Sequence, residues 1–406
     1  MVGDRPIPLN FAPALVSRSR LEPVNREMAQ LLKILIRLEP ILHRPRWMEL
    51  LGISPQERDL IRLPASLPHG SHVSRVDGFL GPPQSPDDSG YRIVELNIDS
   101  PGGAAFMDAC WDIISQTETW KQFAQLHPGH YLPCDPSILE VLLRSWKSWG
   151  GSGSPRIAIV DWVTVSTHAE FALLRDHFKG HGIDTVVSDP RELEFKNGRL
   201  LDYDGKPIDV VYRRVLVEDL LARGEEAQAL LDAYRAGAVC MVNPFRAKPL
   251  TIKSLLALFH REEMEELLDA DELQFIRRIV PWTAIVEDGP VVSTLLERRE
   301  TLVLKPADGW GGDGIYLGWE LSDSDWQTAV QTAISKRYVA QERVFIPQFE
   351  CPVPSGEGWE YQPFRVDFDP YLFSQKIGVP LMRLSGNDML NIKTGGELAV
   401  TWILWG

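Results

Sequence analysis

The chain has 406 residues, a formal net charge of −14, and 44% apolar against 24% charged side chains. That balance describes a globular protein with two or three cores, and it argues against a general binder of nucleic acid or of anionic membranes, while leaving room for a local basic pocket. No apolar run approaches the roughly 18 to 20 residues that cross a bilayer, and Met1-Val2-Gly3-Asp4-Arg5 opens a proline-broken stretch without a signal-peptide pattern. The four cysteines, Cys110, Cys134, Cys240 and Cys351, show no zinc or redox spacing. They read as small buried hydrophobes in a reducing cytoplasm.

In chain order, Met28, Leu31, Leu32, Leu35 and Leu38 recur at helical spacing, with Pro40 and Pro45 breaking the run, and Ser54-Pro55-Gln56-Glu57 has the form of a capping box. Residues 1–70 are therefore expected to be helical. From about residue 71 the pattern turns to strands. Ser74-Arg75-Val76-Asp77-Gly78-Phe79 and Tyr91-Arg92-Ile93-Val94-Glu95-Leu96-Asn97 flank a polar, turn-rich stretch and predict a hairpin. Glu95 and Asn97, two apart, share a strand face, as do Arg75 and Asp77. Paired oxygen donors beside a third carboxylate and an arginine suit a hard divalent cation that also touches phosphate, although a solvated face with a salt bridge accounts for either pair alone.

Asp135-Pro136 opens a helix through Trp149, and Gly150-Gly151-Ser152-Gly153-Ser154-Pro155 reads as a linker. Strands and helices then alternate over residues 156–242, including a helix from Thr167 with Glu170 as its capping partner, which predicts a small doubly wound α/β layer. Thr164 and Ser166 lie just past the carboxyl end of its first strand, where such layers bind ligands, and are candidate substrate contacts. Arg213-Arg214 ends another strand; Arg213 is read either as an anchor for an anionic substrate group or as a surface ion pair.

Lys253 stands near a helix start, where a lysine either snorkels outward or meets a phosphate. Leu302-Val303-Leu304-Lys305-Pro306 then reads as a buried strand leading into Ala307-Asp308-Gly309-Trp310-Gly311-Gly312-Asp313-Gly314, a loop whose amides can close around an anion. Its spacing is neither a P-loop nor a dinucleotide fingerprint. A strand around Gln341-Glu342 follows. The apolar end, Trp402-Ile403-Leu404-Trp405, is expected in a sheet or an interface, the latter pointing to a homodimer.

Taken together, Arg75-Val76-Asp77, Glu95-Leu96-Asn97 with Ser100 and Gly102-Gly103 behind it, the α/β insert, Lys253, Lys305 with its glycine loop, and Gln341-Glu342 resemble the circularly permuted ATP-grasp ligases. Glutathionylspermidine synthetase and eukaryotic-type glutathione synthetase represent that group. The order carries the resemblance, because the acidic strand precedes the phosphate lysines. It implies an α/β ATP-grasp fold in which residues 1–70 pack on the core, 71–150 carry the metal strand, 151–245 form the substrate insert and 246–406 bind nucleotide. It further implies ATP and Mg2+, with Asp77, Glu95 and Asn97 as metal ligands and Lys253, Lys305 and the amides of Gly309, Gly311 and Gly312 on the phosphates. Gln341 and Glu342 would border adenine, Arg75 would be catalytic, and Ser100, Thr164, Ser166 and Arg213 would touch substrate. The implied reaction joins a small carboxylate to an amine through an acylphosphate, in the cytoplasm, with neither nucleic acid nor membrane as partner. Where the resemblance expects a glutamate in the loop this chain has Gly309, leaving Asp308 and Asp313 as substitute metal ligands. A non-catalytic nucleotide-binding protein and an ATP-grasp kinase are the alternatives.

Overall fold

The computed structural model describes residues 6–405 apart from 64–66, 68, 71, 310, 357, 375, 393 and 394. Its largest sheet has nine strands and is built outward from the hairpin expected near residues 73–97. Strand Val73–Leu80 pairs antiparallel with Tyr91–Asn97, placing Arg75 opposite Asn97 and Asp77 opposite Glu95. The register slips between Asp77 and Gly78, leaving Val94 unopposed as a β-bulge. The slip explains a pattern that strict alternation does not. Tyr91, Ile93 and Leu96 are all buried, although 93 and 96 differ in parity, while Glu95 and Asn97 reach the cleft. A side chain at position 78 has no room, since a Cβ there would lie 2.4 Å from the Arg92 carbonyl.

From that hairpin the sheet continues through Asp369–Phe373, Lys376–Ser385 and Glu397–Leu404 to Leu9–Ser17. The last two strands run parallel. Residues 9–17 therefore correct the expectation of an all-helical beginning; Pro13 disguises the strand, and the register shifts around it. Helix Arg18–Leu42 also runs through Pro23 and Pro40 instead of stopping. Its stripe of Met28, Leu31, Leu32, Leu35 and Leu38 is buried, which outweighs the roughly 3 kcal/mol that each interior proline costs. Trp402 and Ile403 are buried in the strand that Leu9–Ser17 covers. The apolar end is thus docked in a sheet as far as Ile403, while Trp405 stands 65% exposed.

The α/β layer is a parallel sheet in the order Cys240–Val242, Val210–Arg213, Ile157–Val160, Thr185–Ser188. Asn243, directly after its edge strand, fixes it to the hairpin. The buried amide accepts from the backbone of His72 and Val73 and donates to the carbonyls of Val73, Ile98 and Asp99. Helix His168–Gly180 lacks the expected cap at Thr167. Glu170 reaches instead to the amides of Gly103 and Ala105, at 2.7 and 3.3 Å, and fixes the turn ahead of helix Ala104–Ser115. A third, antiparallel sheet orders Thr283–Val286, Tyr338–Glu342, Leu302–Pro306 and Tyr316–Leu317. Among the described residues no helix is long and apolar enough to cross a membrane.

Candidate active site

These three of the four sheets formed by the described residues meet around a cleft of about 760 Å³. The hairpin contributes Arg75, Asp77, Glu95 and Asn97, and the following turn contributes Ser100 and Gly102. Thr164 and Ser166 enter from the carboxyl end of the parallel sheet. Lys253, Lys305, Gly309, Gly311, Gly312, Gln341 and Glu342 enter from the antiparallel sheet and the segments beside it. Two stretches separated by more than 150 positions in sequence thus share one cavity; Trp310 lies outside the described residues.

At the centre is a set of cations held by neighbours that a bound anion could replace. Lys253 Nζ lies 2.7 Å from Glu95 Oε1 and donates to the Gly309 carbonyl at 2.6 Å. Lys305 Nζ donates to Gln341 Oε1 at 2.7 Å and to the carbonyl of the bulged Val94 at 3.3 Å. Burial lowers Lys305 to about 8 against the pull of Glu95, with Lys253 adding to the fall. Two ammonium groups this close suit a polyanion.

Among the described residues no three His, Cys, Asp or Glu side chains gather into a metal cage. What the cleft offers is Glu95 and Asn97 on one strand face, hard oxygen donors beside the lysines. That set fits magnesium, which takes one or two carboxylates and completes its shell with phosphate and water. Asp77 differs from expectation, because Arg75 grips both its oxygens at 2.7 Å and Arg383 reaches it at 3.1 Å. Burial would raise Asp77, but Arg75, Arg383 and Asn97 hold it below its ordinary value.

Arg383 is a functional candidate that sequence reasoning does not single out. Its guanidinium bonds Asp367 at 2.6 Å and Asp369 at 2.7 Å, and all three line the cleft. Burial lifts Asp367 to about 6, and burial together with Asp367 and Asp77 holds Asp369 well above the carboxylate range. The spacing of Asp367 and Asp369, two apart in a strand region, was the available signal. Arg75 and Arg383 thus present a double guanidinium beside the lysines, with Arg75 also donating to the Gly102 carbonyl at 2.5 Å.

Other sequence-based expectations are also affected. Arg213 is fully buried, ion-paired with Asp99 and bonded to the carbonyls of Asn243 and Val215, at 3.0 and 2.7 Å. It does not line the cleft; its neighbour Arg214 does, because successive strand residues point to opposite faces. Arg213→Met is accordingly expected to lose about 3 to 5 kcal/mol in urea denaturation, the cost of orphaning Asp99, with nucleotide affinity of the folded fraction unchanged by calorimetry. Asp308 is engaged by Lys248, at 2.8 Å through both oxygens, so it is no free metal ligand. Asp313 is not part of the cleft lining. Gln341, 1% exposed, donates to Thr283 and orients Lys305, while Glu342 pairs with Arg298 at 2.7 Å. Ser100 lines the cleft but donates its hydroxyl to the Arg214 carbonyl.

The sequence of residues 84–384 matches the family described as circularly permuted ATP-grasp type 2. The chain belongs to this family. It is 23% identical to an uncharacterized protein of Mycobacterium leprae, over 99% of this chain and 73% of that one. It is 24% identical to a Frankia alni protein named "Putative glutamate--cysteine ligase 2-3", over 99% of this chain and 47% of the relative, so it spans about half that protein's length. A glutathione synthetase-like effector of Globodera pallida shares the circularly permuted ATP-grasp fold, with a TM-score of 0.62 at 13% identity over 99% of this chain and 91% of that one.

Proposed function

We propose that the protein is an ATP-dependent ligase that joins a small carboxylic acid to an amine, forming an amide, ADP and phosphate. The observation that carries this reading is the 2.7 Å approach of Lys253 to Glu95 within one cleft. The cations for a triphosphate and the donors for its metal stand within reach of one nucleotide. Glu95 and Asn97 would hold magnesium, which when bound supplies charge neutralisation for the phosphates.

The remaining work falls to the protein's own groups. Lys253 and Lys305 would grip the phosphates, and the amides of Gly309, Gly311 and Gly312 would close over them. Arg75 and Arg383 would stabilise the negative charge that grows as the acid's carboxylate attacks the γ-phosphorus and ADP leaves. The amine would then add to the resulting acylphosphate, and phosphate and a proton would depart. No protein nucleophile is needed, which suits a cleft whose lining has neither cysteine nor histidine among the described residues. Thr164, Ser166 and Arg214 would touch the acid or the amine from the insert side. The described cysteines, all buried and unpaired, suit a reducing cytoplasm.

The test is phosphate release from ATP and magnesium with pools of amino acids, peptides and polyamines, repeated with hydroxylamine. Trapping of a hydroxamate is the expected result and marks an acylphosphate. ATP-dependent transfer to a hydroxyl without a hydroxamate would make the protein a kinase, and ATP binding without turnover on any pool would make it a non-catalytic binder.

A further inference from the structure

We infer that Lys248 is a positioning residue that ties the root of the glycine loop to the substrate-side wall of the cleft, so that a change at one is felt at the other. The functional meaning rests on the ligase reading above; the tie itself rests on geometry. Lys248 is 1% exposed, and its ammonium meets carboxylates from three distant parts of the chain. Asp308, one position before Gly309, accepts through both oxygens at 2.8 Å. Glu218, in helix Val217–Arg223 of the α/β layer, is hydrogen-bonded to the same ammonium, and Glu57, in helix Pro55–Ile61, stands 3.7 Å away.

The helix that carries Glu218 is also cleft wall, presenting Asp219 and Arg223 beside it, with Leu216 just ahead of its first turn. A ligand lodged against that wall bears on Glu218 directly. An ammonium has three hydrogens to share, so displacement of Glu218 redistributes the bonds to Asp308. Asp308 in turn sets where the glycine loop begins. The next residue is held on the same side, its carbonyl bonded to Lys253 Nζ, and the Ala307 carbonyl accepts from the Lys253 amide at 2.9 Å. Loop root and phosphate lysine therefore move together.

Three acids around one buried base make a poor stabilising unit. Burial holds Glu218 above its ordinary value, and one oxygen each of Glu57 and Glu218 is buried without a hydrogen bond. Such an arrangement stabilises a fold weakly, since desolvation offsets the attraction. It does link two walls of one cleft that no shorter connection joins in sequence. For a ligase the consequence is an order of events, in which the loop settles over the triphosphate in response to what occupies the α/β side.

The test uses the full chain with Glu218→Gln and Asp308→Asn, near-isosteric changes that leave Lys248 other partners, and Lys248→Met as a harsher third. Hydrogen exchange is followed in the peptide spanning residues 307–315, with and without adenylyl imidodiphosphate and magnesium. Glu218→Gln is decisive, because position 218 lies outside the loop and the phosphate lysines. It is expected to speed exchange of residues 311–314 in the nucleotide-free protein by about tenfold, and to weaken binding of the analogue about fivefold. A variant whose melting temperature falls while loop exchange and analogue affinity match the parent would reduce Lys248 to a structural cross-brace and overturn the inference. Absence of analogue binding by the parent would instead count against the ligase reading, since the nucleotide-free exchange comparison still judges the tie.

Discussion

Lys305→Met is expected to weaken ATP binding by roughly two orders of magnitude while leaving the protein at least as thermostable as its parent. The lysine sits on strand Leu302–Pro306, and among the described residues its hydrogen bonds go to the Gln341 amide oxygen and the Val94 carbonyl. Neither carries a full charge. Burial lowers its ammonium to about 8, and the nearby Glu95 does not offset this while Lys253 deepens it. A lysine whose folded value lies below the unfolded one, near 10.4, opposes folding while it is protonated. Between about pH 8 and pH 10.4 the unfolded chain binds more protons, so this unfavourable contribution fades as the pH rises through that window. At neutral pH a methionine removes it and keeps the apolar stem, a gain on the order of 1 to 3 kcal/mol.

Binding moves the other way. A charge-assisted contact to phosphate is worth about 3 kcal/mol, roughly two orders of magnitude in affinity. Titration calorimetry with ATP and magnesium, beside thermal unfolding, checks both halves. The parent should also lose ATP affinity above pH 8, by up to about tenfold per pH unit, because the free lysine must regain a proton to meet the triphosphate. A methionine variant that binds ATP within about threefold of the parent, or a flat affinity profile from pH 7 to 9, would remove Lys305 from the phosphate site.

How much of this was legible beforehand depends on how locally each feature is encoded. The hairpin, the α/β layer and the two lysines follow from patterns within ten or fifteen residues, where strand period and glycine spacing speak directly. The bulge at Val94 was present as a broken alternation, but its effect, which turns Glu95 and Asn97 away from Ile93, needs the partner strand to fix the register. Arg213 and Arg214 show the limit of a face assignment made without a sheet: adjacent positions were one choice, and the wrong one was taken because nothing local says which side Asp99 occupies. Strand Leu9–Ser17 pairs with residues almost four hundred positions away, and its proline hid it. Arg383 and Lys248 were out of reach for the same reason. Each collects acids from distant segments, and a single arginine or lysine in sequence carries no mark of what will surround it.

Arg383 supplies the second large effect. Arg383→Ala is expected to lower turnover by about a thousandfold or more, as loss of a guanidinium that meets transition-state charge does, and to destabilise the fold by about 3 to 5 kcal/mol at pH 7.5, where removing one partner orphans buried acids. The stability part should depend on pH in a defined direction. Asp367, lifted to about 6, and Asp369, held higher still, have folded values above their unfolded ones. Their contribution favours folding fully below about pH 4, the unfolded value. It is lost as the pH rises, through about 6 for Asp367 and higher for Asp369. Without Arg383 both rise further, so at pH 5 protons replace the guanidinium and the penalty of the variant should shrink. Asp77, held below its ordinary value, has the opposite sign but keeps Arg75 in the variant. Adding Asp369→Asn, which imitates the protonated acid, should recover part of the stability at pH 7.5 and none of the turnover, separating the fold from the chemistry. Urea denaturation of the parent, the single variant and the double variant at pH 5 and 7.5, read beside phosphate release, makes the comparison. An equal stability penalty at the two pH values would mean that the acids around Arg383 are not the protonated, guanidinium-dependent set inferred here, and turnover regained in the double variant would show that Arg383 serves the fold alone.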